Sequence, residues 1–118
     1  MPQALARDPR DFVALRIDSA RRAFRSDAEI AAVLDVDPAQ LSRWKRGQTP
    51  DPENADRLAG LDLVVQMLSG YLSPSRLRKW LQGPNVHLND RSPIALLRMG
   101  AVAEVLTAVQ ALKSGVYG

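Results

Sequence analysis

Apolar residues recur at intervals of three and four along most of this 118-residue chain, with polar residues between them. This spacing places the apolar side chains on one face of an α-helix, and no alternating pattern predicts a strand. Serine or aspartate followed by proline precedes several apolar runs, as at Ser73-Pro74 and Ser92-Pro93, and glycine follows them. These residues are the usual start and stop signals of helices. The pattern therefore predicts an all-α fold without internal repeats.

The first and the longest of the predicted helices supply part of the expected core. The first spans about residues 9–24, with Arg21 and Arg22 outward, and the longest reaches from a cap at Asp51 to about Gly70. The residues predicted to face inward are Phe12, Leu15, Ala20 and Ala23 in the first helix, and Leu58, Leu61, Val64, Val65 and Leu68 in the long helix.

The segment 27–47 between them reads as two short helices joined by a tight turn. Its apolar residues are spaced so that they face a common core, and they are Ile30, Ala31, Leu34, Val36, Leu41 and Trp44. Asp35 takes the turn position where glycine is usual, and aspartate tolerates a left-handed backbone better than most residues. Asp37 is a natural N-cap, and Gly47 suits the helix exit. This pattern is typical of the helix-turn-helix of phage repressors, which binds DNA.

The outward face of the second helix carries the candidate DNA contacts. A rotation of 100° per residue places small, hydroxyl and guanidinium side chains opposite Leu41 and Trp44. The predicted DNA-binding residues are Ala39, Ser42, Arg43 and Arg46 on this face, flanked by Gln40 and Lys45. Arginine can pair with guanine through two hydrogen bonds, and alanine can contact a thymine methyl group. The alternative is an ordinary helical hairpin with a solvated basic face.

The net charge of the chain supports DNA binding only weakly. The net charge is +3 and the sequence pI is near 9.8, without an extended basic tail. DNA contact is therefore expected from a local patch of Arg43, Lys45 and Arg46, with Arg21, Arg22 and Arg25 as candidate additions. Because such a patch is small, we expect the chain to bind DNA as a homodimer.

Several other classes of protein are not indicated. The chain has no cysteine, and its lone histidine, His87, lies in no cluster with metal-ligand spacing. No signal peptide and no membrane-spanning stretch is evident, so we expect a cytoplasmic location. Nothing indicates a phosphate-binding loop or a Ser-His-Asp site, and we expect neither an enzyme nor a cofactor.

The C-terminal part carries a second pattern, in an order and spacing that can be recognised. It consists of Trp80-Leu81, Pro84-Asn85, Leu88, Pro93, Leu96-Leu97, Gly100, Val105 and Gly115. This pattern resembles the toxin-binding domain of the MbcA/ParS/Xre antitoxin family, which joins a repressor-type helix-turn-helix to a small helical domain. The resemblance covers the chain from about Phe12 and implies two domains, residues 1–70 for DNA and residues 71–118 for a toxin. Asn89-Asp90 stands where relatives usually carry glycine.

The resemblance also implies a function. Members of this family neutralise a partner toxin of the RES fold, which destroys NAD, and their C-terminal segment reaches toward its active site. They also bind their own promoter DNA. Carried over to this chain, the toxin-facing parts are the helix after Gly100 and a set of individual residues. These toxin-binding candidates are Trp80, Pro84, Asn85, Gly115, Val116, Tyr117 and Gly118.

The residues themselves leave alternatives open at this end. Trp80 is expected mainly in the core, Pro84-Asn85 reads first as a turn, and Tyr117 could equally fold back onto its own chain. The last helix, about residues 101–114, is expected to bury one apolar stripe and to leave a smooth outer surface. The stripe is Val102, Val105, Leu106, Val109 and Leu112, and the smooth surface is Ala101, Ala103, Ala108 and Ala111.

Two other functions remain open from the sequence. One is a stand-alone transcriptional repressor whose C-terminal helices only dimerise it. The other is an interaction module whose helix-turn-helix no longer binds DNA. A toxic open reading frame beside this one would favour the antitoxin, and salt-sensitive DNA binding would exclude the decayed module.

Overall fold

A computed structural model describes residues 9–115, which form seven α-helices connected by short turns. The helices are α1 (Pro9–Ala20), α2 (Asp27–Leu34), α3 (Pro38–Lys45), α4 (Pro52–Ser69), α5 (Pro74–Gln82), α6 (Pro93–Arg98) and α7 (Val102–Lys113). A short 3₁₀ turn, Val86–Leu88, lies between α5 and α6. Within the described residues the only strand-like pairing is one isolated bridge between Asn85 and Arg91. The predicted all-α class is confirmed.

Four of the helices begin as the sequence predicts, with a capping side chain followed by proline. Each cap accepts a hydrogen bond from a backbone N–H in the first turn, which has no partner inside the helix. These cap residues are Asp37 for α3, Asp51 for α4, Ser73 for α5 and Ser92 for α6. The helix starts predicted at these four positions are confirmed. They could be predicted because a helix start depends on the cap residue and its near neighbours in the chain.

The first helix differs from its prediction in length and in the face that it buries. It ends at Ala20, and the backbone then turns tightly, which returns Ala23 and Phe24 to the core. The buried face carries Val13, Ile17 and Ala20. Phe12 and Leu15, predicted as core, are 47% and 50% exposed, so that part of the prediction is wrong. This helix carries two overlapping apolar stripes, one with Phe12 and Leu15 and the other with Val13 and Ile17. A rotation of the helix by one residue position, about 100°, buries one stripe instead of the other.

The long helix α4 lies at the centre of the molecule. Its predicted core residues Leu58, Leu61, Val64, Val65 and Leu68 are all buried. The helix packs against α1 in the N-terminal half and against α5, α6 and α7 in the C-terminal half. Both halves therefore share one hydrophobic core, and Gly70, where the sequence divides the chain, directly follows α4.

The last helix packs on this core mostly as predicted. Val105 and Val109 are buried, and the other three residues of the predicted stripe lie partly buried against the core. Ala108 is also buried, so its assignment to the outer surface is wrong, because it lies one helical turn from Val105 on the inner face. No helix within residues 9–115 combines the length and apolar character needed to cross a membrane.

Two arginines of the C-terminal half bind backbone carbonyls around α2. Arg98 donates from Nε to the carbonyl of Val33 (2.7 Å) and from a terminal nitrogen to that of Ala32 (3.0 Å). Arg78 donates to the carbonyl of Ala23 (2.7 Å), just before α2. These bonds connect the C-terminal end of α2, and the turn between α1 and α2, to the C-terminal helices, and the pattern of residues in the sequence does not predict them.

Candidate nucleic-acid interface and C-terminal surface

The turn between α2 and α3 sets the angle at which α3 projects. Asp35 adopts the left-handed conformation (φ 60°, ψ 46°), and its N–H donates to the carbonyl of Ala32 (3.1 Å). The N–H of Val36 donates to the carbonyl of Ala31 (2.9 Å), and the Val36 side chain packs against the core. These bonds satisfy the carbonyls at the end of α2. The predicted helix-turn-helix geometry is confirmed.

One face of α3 is anchored in the core and the opposite face is exposed. Leu41 and Trp44 are completely buried, as predicted. The residues on the other side are Ala39, Ser42, Arg43 and Arg46, which are exposed, with Gln40 partly exposed beside them. The structure therefore brings five of the six predicted DNA-binding residues together on one helix face, where their side chains are accessible to a ligand.

Hydrogen bonds to residues of α3 hold two arginines on this side, Arg43 in the helix and Arg46 directly after it. Arg43 donates to Oε1 of Gln40 (2.7 Å), and Arg46 donates to Oγ of Ser42 (2.9 Å). A guanidinium carries five N–H donors, so one such bond does not prevent paired hydrogen bonds to a guanine. Side chains that are already ordered lose less conformational entropy when they bind a partner.

Lys45 has a different environment from the other predicted contacts. Its Nζ lies 2.7 Å from Oδ2 of Asp27, the first residue of α2, and Arg21 lies 3.1 Å from Oδ1 of the same carboxylate. The hydrogen bond from Lys45, assisted by that from Arg21, lowers the pKa of Asp27 below its usual value. Of the other predicted additions, Arg22 and Arg25 are exposed. Sequence reasoning missed Asp27 because its partner Lys45 lies 18 residues away.

The C-terminal candidates lie in different environments. Trp80 is partly buried against the core, and Pro84 is exposed. Asn85 is only 3% exposed, and its side-chain oxygen accepts a hydrogen bond from the N–H of His87 (2.9 Å), which is the turn role read from the sequence. Gly115 is exposed with a φ of 78°, and Val116, Tyr117 and Gly118 lie outside the described residues.

A contact that the sequence did not indicate fixes the end of α7. The hydroxyl of Tyr71, two residues after the end of α4, donates to the carbonyl of Leu112 (3.1 Å) in the last turn of α7. This bond joins the segment that follows α4 to the last turn of α7, three residues before Gly115. Among the side chains that the structure describes, no group of three or more histidine, aspartate or glutamate residues could hold a metal ion.

Comparison with known proteins identifies both halves. A helix-turn-helix family model matches residues 25–61, and the model of the antitoxin Xre/MbcA/ParS C-terminal toxin-binding domain matches residues 71–115. The mycobacterial cidal antitoxin MbcA of Mycobacterium bovis is 32% identical over 90 residues, which cover 75% of this chain and 80% of that protein. This chain belongs to the Xre/MbcA/ParS antitoxin family.

Two further relatives agree with this assignment. A probable mycobacterial cidal antitoxin of Mycobacterium tuberculosis is 32% identical over 92 residues, 78% of this chain and 79% of that protein. The structure also matches a chain in the crystal structure of the M. tuberculosis MbcT–MbcA toxin–antitoxin complex. That match has a TM-score of 0.73 and 30% identity, and it covers 89% of this chain and 96% of the other. The resemblance inferred from the sequence is confirmed.

The matched ranges place the family features on the fold. The helix-turn-helix match contains α2, α3 and the first part of α4, and so it contains every predicted DNA-binding residue. The toxin-binding match contains α5, α6, α7 and the turn around Asn85. This antitoxin-family chain therefore joins its two matched regions through the second part of α4.

Proposed function

We propose that this protein is the antitoxin of a toxin–antitoxin pair and binds two partners. Its C-terminal region, about residues 71–118, neutralises a RES-type toxin that degrades NAD. Its N-terminal region, about residues 1–70, binds operator DNA and represses the transcription of its own gene. The observation that carries this proposal is the presence of both family matches on one chain, with the helix-turn-helix match containing the exposed face of α3.

The DNA-binding function is supported by the exposed face of α3. Major-groove recognition needs a helix whose outer side chains reach base edges while its inner side is fixed to a scaffold. Leu41 and Trp44 fix α3 to the core, and Arg43 and Arg46 extend from its other side. A single copy presents few cations, so we propose that a homodimer binds two half-sites of the operator.

The toxin-binding function is supported by the likeness to a chain from a toxin–antitoxin complex. We propose that the toxin contacts the region formed by Trp80, Pro84, the outer face of α7 and the tail from Gly115. Asn85 contributes indirectly, because its buried side chain shapes the turn after Pro84. We further propose that the pair acts in the cytoplasm and that the antitoxin needs no cofactor.

One co-expression experiment tests both functions. The chain is produced together with the product of the neighbouring gene, and the purified complex is compared with each protein alone. We expect a stable complex, rescue of growth, and suppression of NAD consumption by the toxin when the chain is added. We also expect the chain to bind its own promoter fragment, with affinity that falls steeply between about 50 and 200 mM salt.

The outcomes separate the possible functions. A scrambled promoter fragment of equal length is the control for sequence-specific binding. Promoter binding without any toxin partner would replace the proposal by the stand-alone repressor. Toxin neutralisation without salt-sensitive DNA binding would reduce the helix-turn-helix to a scaffold. A partner toxin that leaves NAD intact would contradict the proposed toxin chemistry.

A further inference from the structure

Asp27 is the single acidic side chain that the described structure ties directly to a predicted DNA-contacting cation. Its two carboxylate oxygens are divided between two cations, with Oδ2 2.7 Å from Nζ of Lys45 and Oδ1 3.1 Å from Arg21. The side chains of the carboxylate and both cations are 35–41% exposed, so the cluster lies at the surface beside the outer face of α3. A phosphate group approaching α3 would compete with Asp27 for these cations.

The two cations differ in how freely they could turn to a phosphate. Arg21 also donates to the carbonyls of Phe24 (3.3 Å) and Arg25 (2.9 Å), so its guanidinium is fixed at the corner between α1 and α2. The Lys45 ammonium has three donors on a flexible four-carbon chain, and its bond to Asp27 can be exchanged for a bond to phosphate. Lys45 is therefore the cation whose availability Asp27 controls.

Asp27 itself is stable in its position. It is the first residue of α2, where a negative charge is favoured by the partial positive charge of the helix N-terminus. Lys45 and Arg21 lower its pKa, so the carboxylate is ionised at neutral pH. Its negative charge thus offsets one of the two neighbouring positive charges whenever the protein is free of DNA.

We propose that Asp27 is a positioning residue that limits DNA affinity, because it holds the Lys45 ammonium and neutralises it until an operator phosphate displaces the carboxylate. This inference rests on the proposed DNA-binding function. It implies that the affinity of the antitoxin for its operator lies below the value that its basic residues alone would give. Removal of the Asp27 charge should make Lys45 fully available to phosphate.

The test is operator binding by Asp27→Asn, measured as a function of salt. Because the Lys45 ion pair with Asp27 no longer has to be broken, affinity should increase roughly two- to fivefold near 0.1 M salt, while the log–log slope stays the same, since Lys45 contacts the same phosphate in both proteins. Glu104→Gln is the matched control, because it also removes an exposed carboxylate from an ion pair, in this case with Arg91. Glu104 lies on α7, which packs on α4 and α6 and, in the part of the chain that the structure describes, not on α3. The control should leave both the affinity and the slope unchanged.

Two further variants establish that the effect passes through Lys45. In a Lys45→Ala background, Asp27→Asn should give no larger gain than Glu104→Gln does. Asp27→Glu retains the negative charge, so its affinity for the operator should stay close to that of the unmodified protein. Asp27→Ser is a second neutral variant, and serine suits the start of a helix, so it should reproduce the Asp27→Asn result in a chain whose helical content is unchanged.

The possible failures can be told apart. Unchanged or weaker operator binding by both folded neutral variants would overturn the role of Asp27, and so would a gain that persists without Lys45. The unmodified protein is measured in the same series against its promoter fragment. If it shows no salt-sensitive binding, the proposed DNA-binding function fails first, and the inference about Asp27 fails with it.

Discussion

Arg43 and Arg46 are the residues best placed to give sequence specificity. They lie three positions apart, Arg43 on the exposed face of α3 and Arg46 directly after the helix, and each is held by a hydrogen bond to a residue of α3. A guanidinium held over a base edge distinguishes guanine from the other bases, whereas a lysine near a phosphate raises affinity for every sequence. Arg43 and Lys45 should therefore affect DNA binding in different ways.

We expect Arg43→Ala to weaken operator binding by about 1–3 kcal/mol and to relax the preference at one base pair. Lys45→Ala should weaken binding to operator and scrambled DNA alike, and it should flatten the salt dependence of that binding. Titration of both fragments with each variant measures these effects. Arg76→Ala, which removes an exposed arginine from α5, is the matched control. Unchanged specific binding in a folded double variant of Arg43 and Arg46 would exclude this face of α3 as the reading surface.

Residues whose conformation depends on near neighbours in the chain were predictable. The left-handed turn at Asp35 and the cap at Asp37 follow from the intrinsic preferences of aspartate, which act over three or four residues. The pairing of Asp27 with Lys45 and the hydrogen bond from Tyr71 to Leu112 join residues far apart in the sequence. Such contacts follow only from the packing of whole helices, so a pattern of residue types could not indicate them.

Whole helices were predictable where one apolar stripe dominates. The five residues predicted to form the buried stripe of α4 are all buried, whereas α1 carries two competing stripes and the prediction for it is partly wrong. The position of Ala108 in α7 shows the same limit, because a small side chain fits either a core or a surface. Tertiary packing decides between such alternatives. In α1 the packing buries Val13 and Ile17, and so Phe12 and Leu15 are exposed.

The end of α7 provides the test of how the antitoxin blocks its toxin. We expect a chain ending at Ser114 to stay folded and to bind DNA, because α7 ends at Lys113 and its contact with Tyr71 lies upstream. If Val116 and Tyr117 enter the NAD-binding cleft of the toxin, this truncation should abolish inhibition. Loss of one buried interface aromatic can cost about 2 kcal/mol or more, so Tyr117→Ala should be a milder defect.

The measurement is NAD consumption by purified toxin at increasing concentrations of each variant. Tyr117→Phe retains the aromatic ring and should inhibit nearly as well as the unmodified chain. Promoter binding by the truncated chain shows whether its N-terminal half is intact. If the truncated chain suppresses NAD turnover completely, inhibition comes from another part of the C-terminal region, with α7 as the next candidate.

At the scale of the whole molecule, the two proposed functions use separate surfaces on one shared framework. The α3 face and the toxin-facing end lie in different matched regions, but α4 contributes to the core of both. Arg98 adds a direct connection through its bonds to the carbonyls of Ala32 and Val33 at the end of α2. Surface changes should therefore separate the two functions, whereas changes to the connection should impair both.

We expect the folded double variant Arg43→Ala and Arg46→Ala to lose operator binding and still protect cells from the toxin. Arg98→Met is the contrasting variant, since it keeps much of the side-chain volume but leaves the two carbonyls of α2 without their charged donor. Hydrogen bonds to charged groups contribute about 1.5–3 kcal/mol each, so its thermal stability should fall, and with it both promoter binding and protection at elevated temperature. Growth rescue, promoter retention and thermal unfolding, measured at equal protein levels, distinguish the two cases. Loss of protection in the double arginine variant would mean that α3 itself takes part in toxin binding and that the two functions cannot be separated along the chain.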